Sequence, residues 1–359
     1  MSLVLTRIQN TLAKSNMDKF EYRASRYGAL NAFMVQSSDP TGILTPELKE
    51  KAKTSIGTTL ETPVIDYDKD ITIGNERTLT IQDSENTSRF VQITFATYAW
   101  GFTIAPAMYM NNEIGIQKDF DTKMMKYIYK FAQKLDEAAL ATLAANKTQV
   151  IKNGLLYDKV GNVINAKWSE RENVFGDLEV MMGANDFYGQ LHIVGDPGVE
   201  SIMRKLQQHG LYNDVNKQNE FGTKIVHLTN NLAATPGKYA QGYAISAGAL
   251  GMLTLFERDC LLGTVSGDGH EWGIATLPLL NMPVGTYFYD SVGDYSGIAG
   301  EATADMKRTR KEHYGFAVDV AFITAYNSDP ETLPSPIMAF NVSSEDATYA
   351  KPVFVVNQQ

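Results

Sequence analysis

Between Thr59 and Lys147 the hydrophobic pattern changes from alternation to a helical period, with little between the two. Strand-like runs occur at Pro63–Tyr67, Thr78–Gln82 and Phe90–Ile104. Turn-rich Ile73-Gly74-Asn75-Glu76 and Asp83-Ser84-Glu85-Asn86-Thr87-Ser88 separate them. In the last run Val91, Ile93 and Phe95 share one phase, whereas Ala96, Tyr98, Trp100, Phe102 and Ile104 take the other. A bulge near Phe95–Ala96 would explain the change, since one extra residue re-aims every later side chain. A strand buried on both faces is the alternative. A hairpin cannot cover its own apolar face in water, so the segment is expected to lean on another surface. Tyr98, Trp100 and Phe102 in particular need a partner.

From Gln117 apolar residues recur at spacings of three and four: Phe120, Met124, Tyr127 and Ile128, Phe131, Leu135, Ala138 and Ala139, Thr142 and Leu143. Lys123, Lys126, Lys130, Lys134 and Asp136 are expected on the solvent side, and Ala138-Ala139-Leu140-Ala141 adds strong helix propensity. A helix over 117–146 would be a rod of roughly 45 Å, against which a sheet can pack. Before this region the chain is polar and mixed. It has helical periodicity in Leu3–Phe20 and a turn cluster at Ser37-Ser38-Asp39-Pro40-Thr41-Gly42.

Beyond the helix, Asn153-Gly154 and Gly161-Asn162 mark turns around a short hairpin. A second module begins near Val174, with a strand at Leu191–Val194. Gly195-Asp196-Pro197 then opens a helix, Asp capping and Pro at the first position. The αβ pattern continues through Lys224–Leu228 and the Gly/Ala-rich Tyr243–Leu253, and strands are read at Val284–Tyr289, Phe316–Tyr326 and Ile337–Val342.

At 359 residues, with 44% hydrophobic and 20% charged, the chain can bury a sizeable core as one extended or two compact domains. The net charge of −9 argues against tight, phosphate-driven nucleic-acid binding. A single cysteine, Cys260, excludes an intrachain disulfide and is expected to be a small buried apolar residue. No run approaches a membrane span, and the N-terminus lacks the apolar stretch of a secretory signal, so synthesis in the cytoplasm is expected.

Catalytic signatures are missing: no phosphate-binding loop, no nucleophile elbow and no H-E-x-x-H. Gly267-Asp268-Gly269 reads as a surface turn. Asp66-Tyr67-Asp68-Lys69-Asp70 alternates like a calcium loop, but Ile71 replaces the required glycine and Arg77 the bidentate glutamate. His192, His209, His227, His270 and His313 are scattered, so a site made from them needs tertiary folding to assemble it. Lys307, Arg308, Arg310 and Lys311 form a basic cluster that reads as an exposed face, with contact to nucleic acid or an acidic neighbour as the functional alternative. No catalytic, cofactor or metal residue is assigned.

The order of parts resembles the major capsid proteins of tailed bacteriophages, the Hong Kong 97-like fold. The residues that carry the resemblance are Arg89-Phe90-Val91-Gln92-Ile93-Thr94-Phe95 leading to Trp100-Gly101-Phe102, the helix end Lys134-Leu135-Asp136-Glu137-Ala138-Ala139-Leu140-Ala141, and His192-Ile193-Val194-Gly195-Asp196-Pro197. The resemblance implies an α+β fold with an N-terminal arm (1–56), an extended β-hairpin loop (57–107) and a peripheral domain (108–187) carrying a spine helix at 117–146. An axial domain (188–312) and a return to the peripheral domain (313–359) complete it. Some family members crosslink subunits through a loop lysine. Lys69 is a loop lysine here, but no partner asparagine stands out, and that activity is not carried over.

The implied function is self-assembly into hexamers and pentamers of an icosahedral shell around double-stranded DNA, which touches the acidic inner wall only weakly. The virion capsid is the implied location, with assembly in the host cytoplasm. Scaffolding, portal or decoration proteins are further partners, and no membrane is involved. Tyr98, Trp100 and Phe102 are the expected assembly-interface residues. An encapsulin-like compartment shell is the alternative within this class. From another class, the alternative is an α+β hydrolase with a dispersed site near His192, His227 or His270.

Overall fold

The computed structural model describes residues 3–13, 26–39, 42–54, 59–65, 88–109, 112–147, 150–151, 154–210, 224–256, 260, 270–278, 280–293, 309–325 and 334–344. The chain begins with helices α1 (Leu3–Ala13), α2 (Gly28–Ser37) and α3 (Pro46–Thr54). Strands β1 (Thr59–Ile65), β2 (Ser88–Thr94) and β3 (Ala96–Ile104) follow, then the long helix α4 (Glu113–Ala145). Next come β4 (Asp158–Val160), β5 (Val163–Ala166), α5 (Val174–Ala184), β6 (Leu191–Gly195), α6 (Pro197–Gly210), β7 (Lys224–Leu228) and β8 (Lys238–Ser246). The last strands are β9 (Leu250–Leu255), β10 (His270–Thr276), β11 (Pro283–Gly293), β12 (Thr309–Thr324) and β13 (Ile337–Ser343).

This mixed helix-and-sheet chain forms a two-stranded sheet β1-β2, a five-stranded sheet β10-β11-β12-β3 with β9 also on β12, and a six-stranded sheet β4-β5-β13-β8-β6-β7. Two compact units result: Met1–Ala24, Phe95–Ala132 and Thr254–Val320 in the first; Ser25–Thr94, Gln133–Leu253 and Ala321–Gln359 in the second.

In the first unit, alternation along antiparallel β3, β11 and β12 puts Phe102, Ile104, Phe288, Tyr314, Phe316 and Val318 into the core. The early turns of α4 supply Phe120, Met124, Ile128 and Phe131. Helix α1 buries Val4, Ile8 and even Arg7, which is 3% exposed. Arg7 donates to Glu113 at 2.9 Å and to Glu312 at 3.3 Å, and Tyr314 donates its hydroxyl to Glu312 at 2.7 Å. A buried guanidinium is tolerable only with such pairing.

In the second unit the six-stranded sheet is covered on both faces, which is why all five β6 residues are buried. One face packs Phe175, Leu178, Met182, Ile193, Val199 and Phe340. The other packs Ala29, Phe33, Ala139, Leu143, Val194 and Ile245. Asp196 caps α6, its carboxylate accepting from the Val199 N–H at 2.9 Å, and Pro197 is the first helical residue. Gly161 (φ 59°) and Asn162 (φ 62°) close the β4–β5 hairpin. Positive φ at both central residues is the type I′ geometry that two-residue hairpins favour.

The structure corrects three readings. Phe90–Ile104 is not one bulged strand: β2 ends at Thr94 and β3 starts at Ala96, and each joins a different sheet. A single-residue break at Phe95 changes the phase as a bulge would. Asp136, expected on the solvent side, is 0% exposed. Its oxygens accept from the Leu30 N–H at 2.9 Å, Thr229 Oγ1 at 2.6 Å and Asn231 Nδ2 at 2.8 Å. Finally, β12 starts at Thr309, well before Phe316. The expected strand Thr78–Gln82, the turn cluster before it, the cluster after it up to Thr87, the Asp66–Asp70 run with Lys69, and Gly267–Gly269 lie outside the described residues, while Ser88 opens β2.

Candidate assembly surface

The two-stranded sheet is a regular antiparallel hairpin whose register runs from Thr59 opposite Thr94 to Ile65 opposite Ser88. Leu60 and Ile93, directly opposite each other near its base, are buried at 3% and 6% exposure. On the other face Gln92 donates to the Glu61 carboxylate at 3.3 Å, and Lys51 donates to the Glu61 carbonyl at 2.6 Å. Among the described residues no third strand joins this pair. A two-stranded pair on its own is marginal in water.

Tyr98, Trp100 and Phe102 all point to one side of β3, as the period of two predicted. Trp100 stacks on Phe316 at 4.1 Å and on Tyr127 at 5.5 Å; Phe102 meets Phe120 at 5.4 Å and Tyr314 at 5.5 Å; Tyr98 meets Phe131 edge-on at 6.1 Å. The partner surface these rings require is thus largely supplied by their own chain, from α4 and β12. Phe102 is buried, while Tyr98 and Trp100 are half-buried.

The opposite side of the same sheet carries an aromatic row that sequence reading did not assemble. Cross-strand register aligns His270 with Tyr289, Trp272 with Tyr287, and Tyr289 with His313. The rings follow at 5.8 Å for His270–Tyr289, 5.2 Å for Trp272–Tyr287 and 4.3 Å for Tyr289–His313. Alternation within β10 and β11 was the available signal, but it reveals a shared face only once the pairing is known. Beside the row lies an open groove of about 810 Å³, bounded by Trp272, Tyr287 and Cys260 over small residues including Ala99, Gly285 and Ala317. Cys260 is buried as expected.

The histidines divide into pairs. His192 and His227 meet in the second unit, their Nδ1 and Nε2 atoms 3.1 Å apart. His270 and His313 flank Tyr289 in the first; the His209 side chain is outside the described residues. His313 Nε2 lies 2.7 Å from Ser291 Oγ and Nδ1 lies 3.0 Å from Thr103 Oγ1. A hydroxyl, not a carboxylate, holds the far nitrogen, and burial followed by Lys311 pushes this imidazole's pKa down. Asp290 favours the imidazolium, but less than burial and Lys311 disfavour it, so this histidine takes up a proton less readily than a free one. Among the described residues no three His, Cys, Asp or Glu side chains gather as a metal site, and no helix is long and apolar enough to cross a membrane. Of the basic cluster, Arg310 pairs with Asp290 at 2.6 Å and Lys311 is half-buried, while Lys307 and Arg308 lie outside the described residues.

No family model matches the sequence, and no curated protein matches it. Solved structures do. The chain is similar to the capsid of Ralstonia phage GP4, with 10% identity and a TM-score of 0.47 over 93% of this chain and 96% of that one. It is similar to the capsid of cyanophage P-SCSP1u, with 12% identity and a TM-score of 0.43 over 82% and 86%. The first two are phage capsids. A structure from Mycobacterium phage Cain shows 11% identity and a TM-score of 0.48 over 94% and 97%.

Proposed function

We propose that this chain is a major capsid protein of a tailed bacteriophage with the Hong Kong 97-like fold, assembling as hexamers and pentamers into an icosahedral shell around double-stranded DNA. The observation that carries the reading is the β1–β2 sheet: seven residue pairs with no third strand among the described residues, followed through β3 by the 33-residue helix α4. A two-stranded ribbon of this kind is marginal in water and gains stability by lying on another surface. In a closed shell a neighbouring subunit provides that surface. Residues 1–56 are then the arm, 57–107 the extended loop, 108–187 and 313–359 the peripheral domain, and 188–312 the axial domain. The work of the protein is assembly, not catalysis. Its acidic balance suits a wall that holds DNA without gripping it, and scaffolding, portal or decoration proteins complete the virion, assembled in the host cytoplasm.

The test is to remove the hairpin's reach while sparing the sheets. Deleting Glu61–Thr103 would take out most of β3, which pairs with β12. Replacing Asp66–Thr87 with an Asn-Gly turn leaves β1, β2 and β3 intact. The variant is expected to unfold as cooperatively as the full chain and to form no closed shells by electron microscopy. Shells of normal size from the variant would contradict the role given to the hairpin.

A further inference from the structure

Strands β6 and β7 run parallel, and each places one histidine on the same face of the six-stranded sheet. The two rings stack at 5.3 Å and 11°, with His192 4% and His227 8% exposed. A ring-to-ring hydrogen bond at 3.1 Å needs an N–H on one imidazole and a lone pair on the other, so two imidazolium ions cannot make it. Burial, and then the charge of His192, brings His227 down to about 4. Burial also lowers His192, with Asp39 opposing.

Helix α2 covers this face. Val194, two residues along β6 from His192, packs with Ala29 and Phe33 of α2. A Cβ on Gly28 would lie 2.7 Å from the His227 carbonyl carbon and 2.6 Å from that of Leu228, so the helix starts in backbone contact with β7. Asp39 follows its other end. Helix α2 carries no ionisable side chain, and β6 only His192. On β7, Lys224 pairs with Glu179 at 3.2 Å. On β8, Lys238 donates to Asn165 at 2.7 Å, Tyr239 bonds Ser201 at 2.8 Å, and Tyr243 is kept neutral by burial. Asp136 of α4 is committed to the first N–H groups of α2. Asp39 thus opposes the lowering of His192, while burial and the charge of His192 both act against a proton on His227.

We propose that the His192–His227 pair is an acid-release catch for α2, holding the helix seated while at least one ring is neutral and releasing it when both carry a proton. The second proton removes the ring-to-ring bond and leaves two cations side by side in a dry site. Relief comes from lifting the helix to admit water. Lowered imidazoles lose stability as the pH falls from 6.5 toward 4. The raised carboxyls of Asp136 and Asp196 act with the opposite sign, so a variant comparison is required. The inference concerns the second unit alone and stands whether or not the chain builds a shell.

Amide hydrogen exchange of the full chain, corrected for the intrinsic pH dependence, reads the opening of α2. From pH 6.5 to 4.5 its opening constant is expected to rise about 40-fold. His227→Gln keeps an N–H for the bond but cannot titrate, and should flatten this rise, whereas His270→Gln in the other sheet should leave it intact. In the unmodified chain, C2-hydrogen exchange followed by mass spectrometry should place both His192 and His227 well below 6.5. Either histidine titrating at 6.5 or above, or an undiminished acid response in a folded His227→Gln chain, would overturn the proposal.

Discussion

Asp136 shows how a single buried group can organise its surroundings. Its carboxylate gathers the Leu30 N–H, the Thr229 hydroxyl and the Asn231 amide, so one side chain ties the start of α2 and the segment after β7 to α4. Asp136→Ala would leave several buried donors unpaired, and the expected cost is about 2–4 kcal/mol in urea unfolding of the second unit. A loss below about 0.5 kcal/mol would mean that water serves those donors equally well. The sequence did not reveal what this residue binds. On a helical wheel Asp136 falls beside Ala132, Ala139 and Leu143 and away from the lysines, so its inward position follows from spacing, and only the partners brought by α2 and the Thr229–Asn231 segment do not. Arg7 was hidden for the same reason, since its partners Glu113 and Glu312 are distant in the chain.

At the scale of elements, the sequence was legible wherever one local rule dominates. The Asp196–Pro197 helix start, the Gly161-Asn162 turn and the long α4 each follow from a cap, a pair of positive φ angles or a sustained period. Pairing was not legible. The change of phase at Phe95–Ala96 marks a break, but nothing local tells a bulge within one sheet from a move of β3 into another. The aromatic row across β10, β11 and β12 was invisible for that reason too. Close backbone approach is a further non-local property, and Gly28 is the instance with the sharpest consequence. Gly28→Ala would push α2 away from β7, with an expected loss of about 1–3 kcal/mol. Its exchange protection should fall selectively in α2, while α5 and α6 on the other face stay protected; a uniform loss would argue against a local seat.

For the whole molecule, the physical problem is the β1–β2 ribbon, which no third strand joins among the described residues. The six-stranded sheet has a two-sided core, and the five-stranded sheet packs its rings on α4. Among the described side chains of the ribbon, Leu60 and Ile93 are the buried apolar ones. Tyr98, Trp100 and Phe102 spend most of their surface inside their own chain, so in the proposed shell the hairpin bears more of the intersubunit contact than those rings do. Many modest contacts repeated by symmetry are sufficient to close a particle. The most direct measurement is negative-stain electron microscopy with light scattering of the purified full chain across salt and crowding conditions. Closed shells, or rings of five and six subunits, are the predicted result; a monodisperse monomer, dimer or tetramer under every condition would contradict the account.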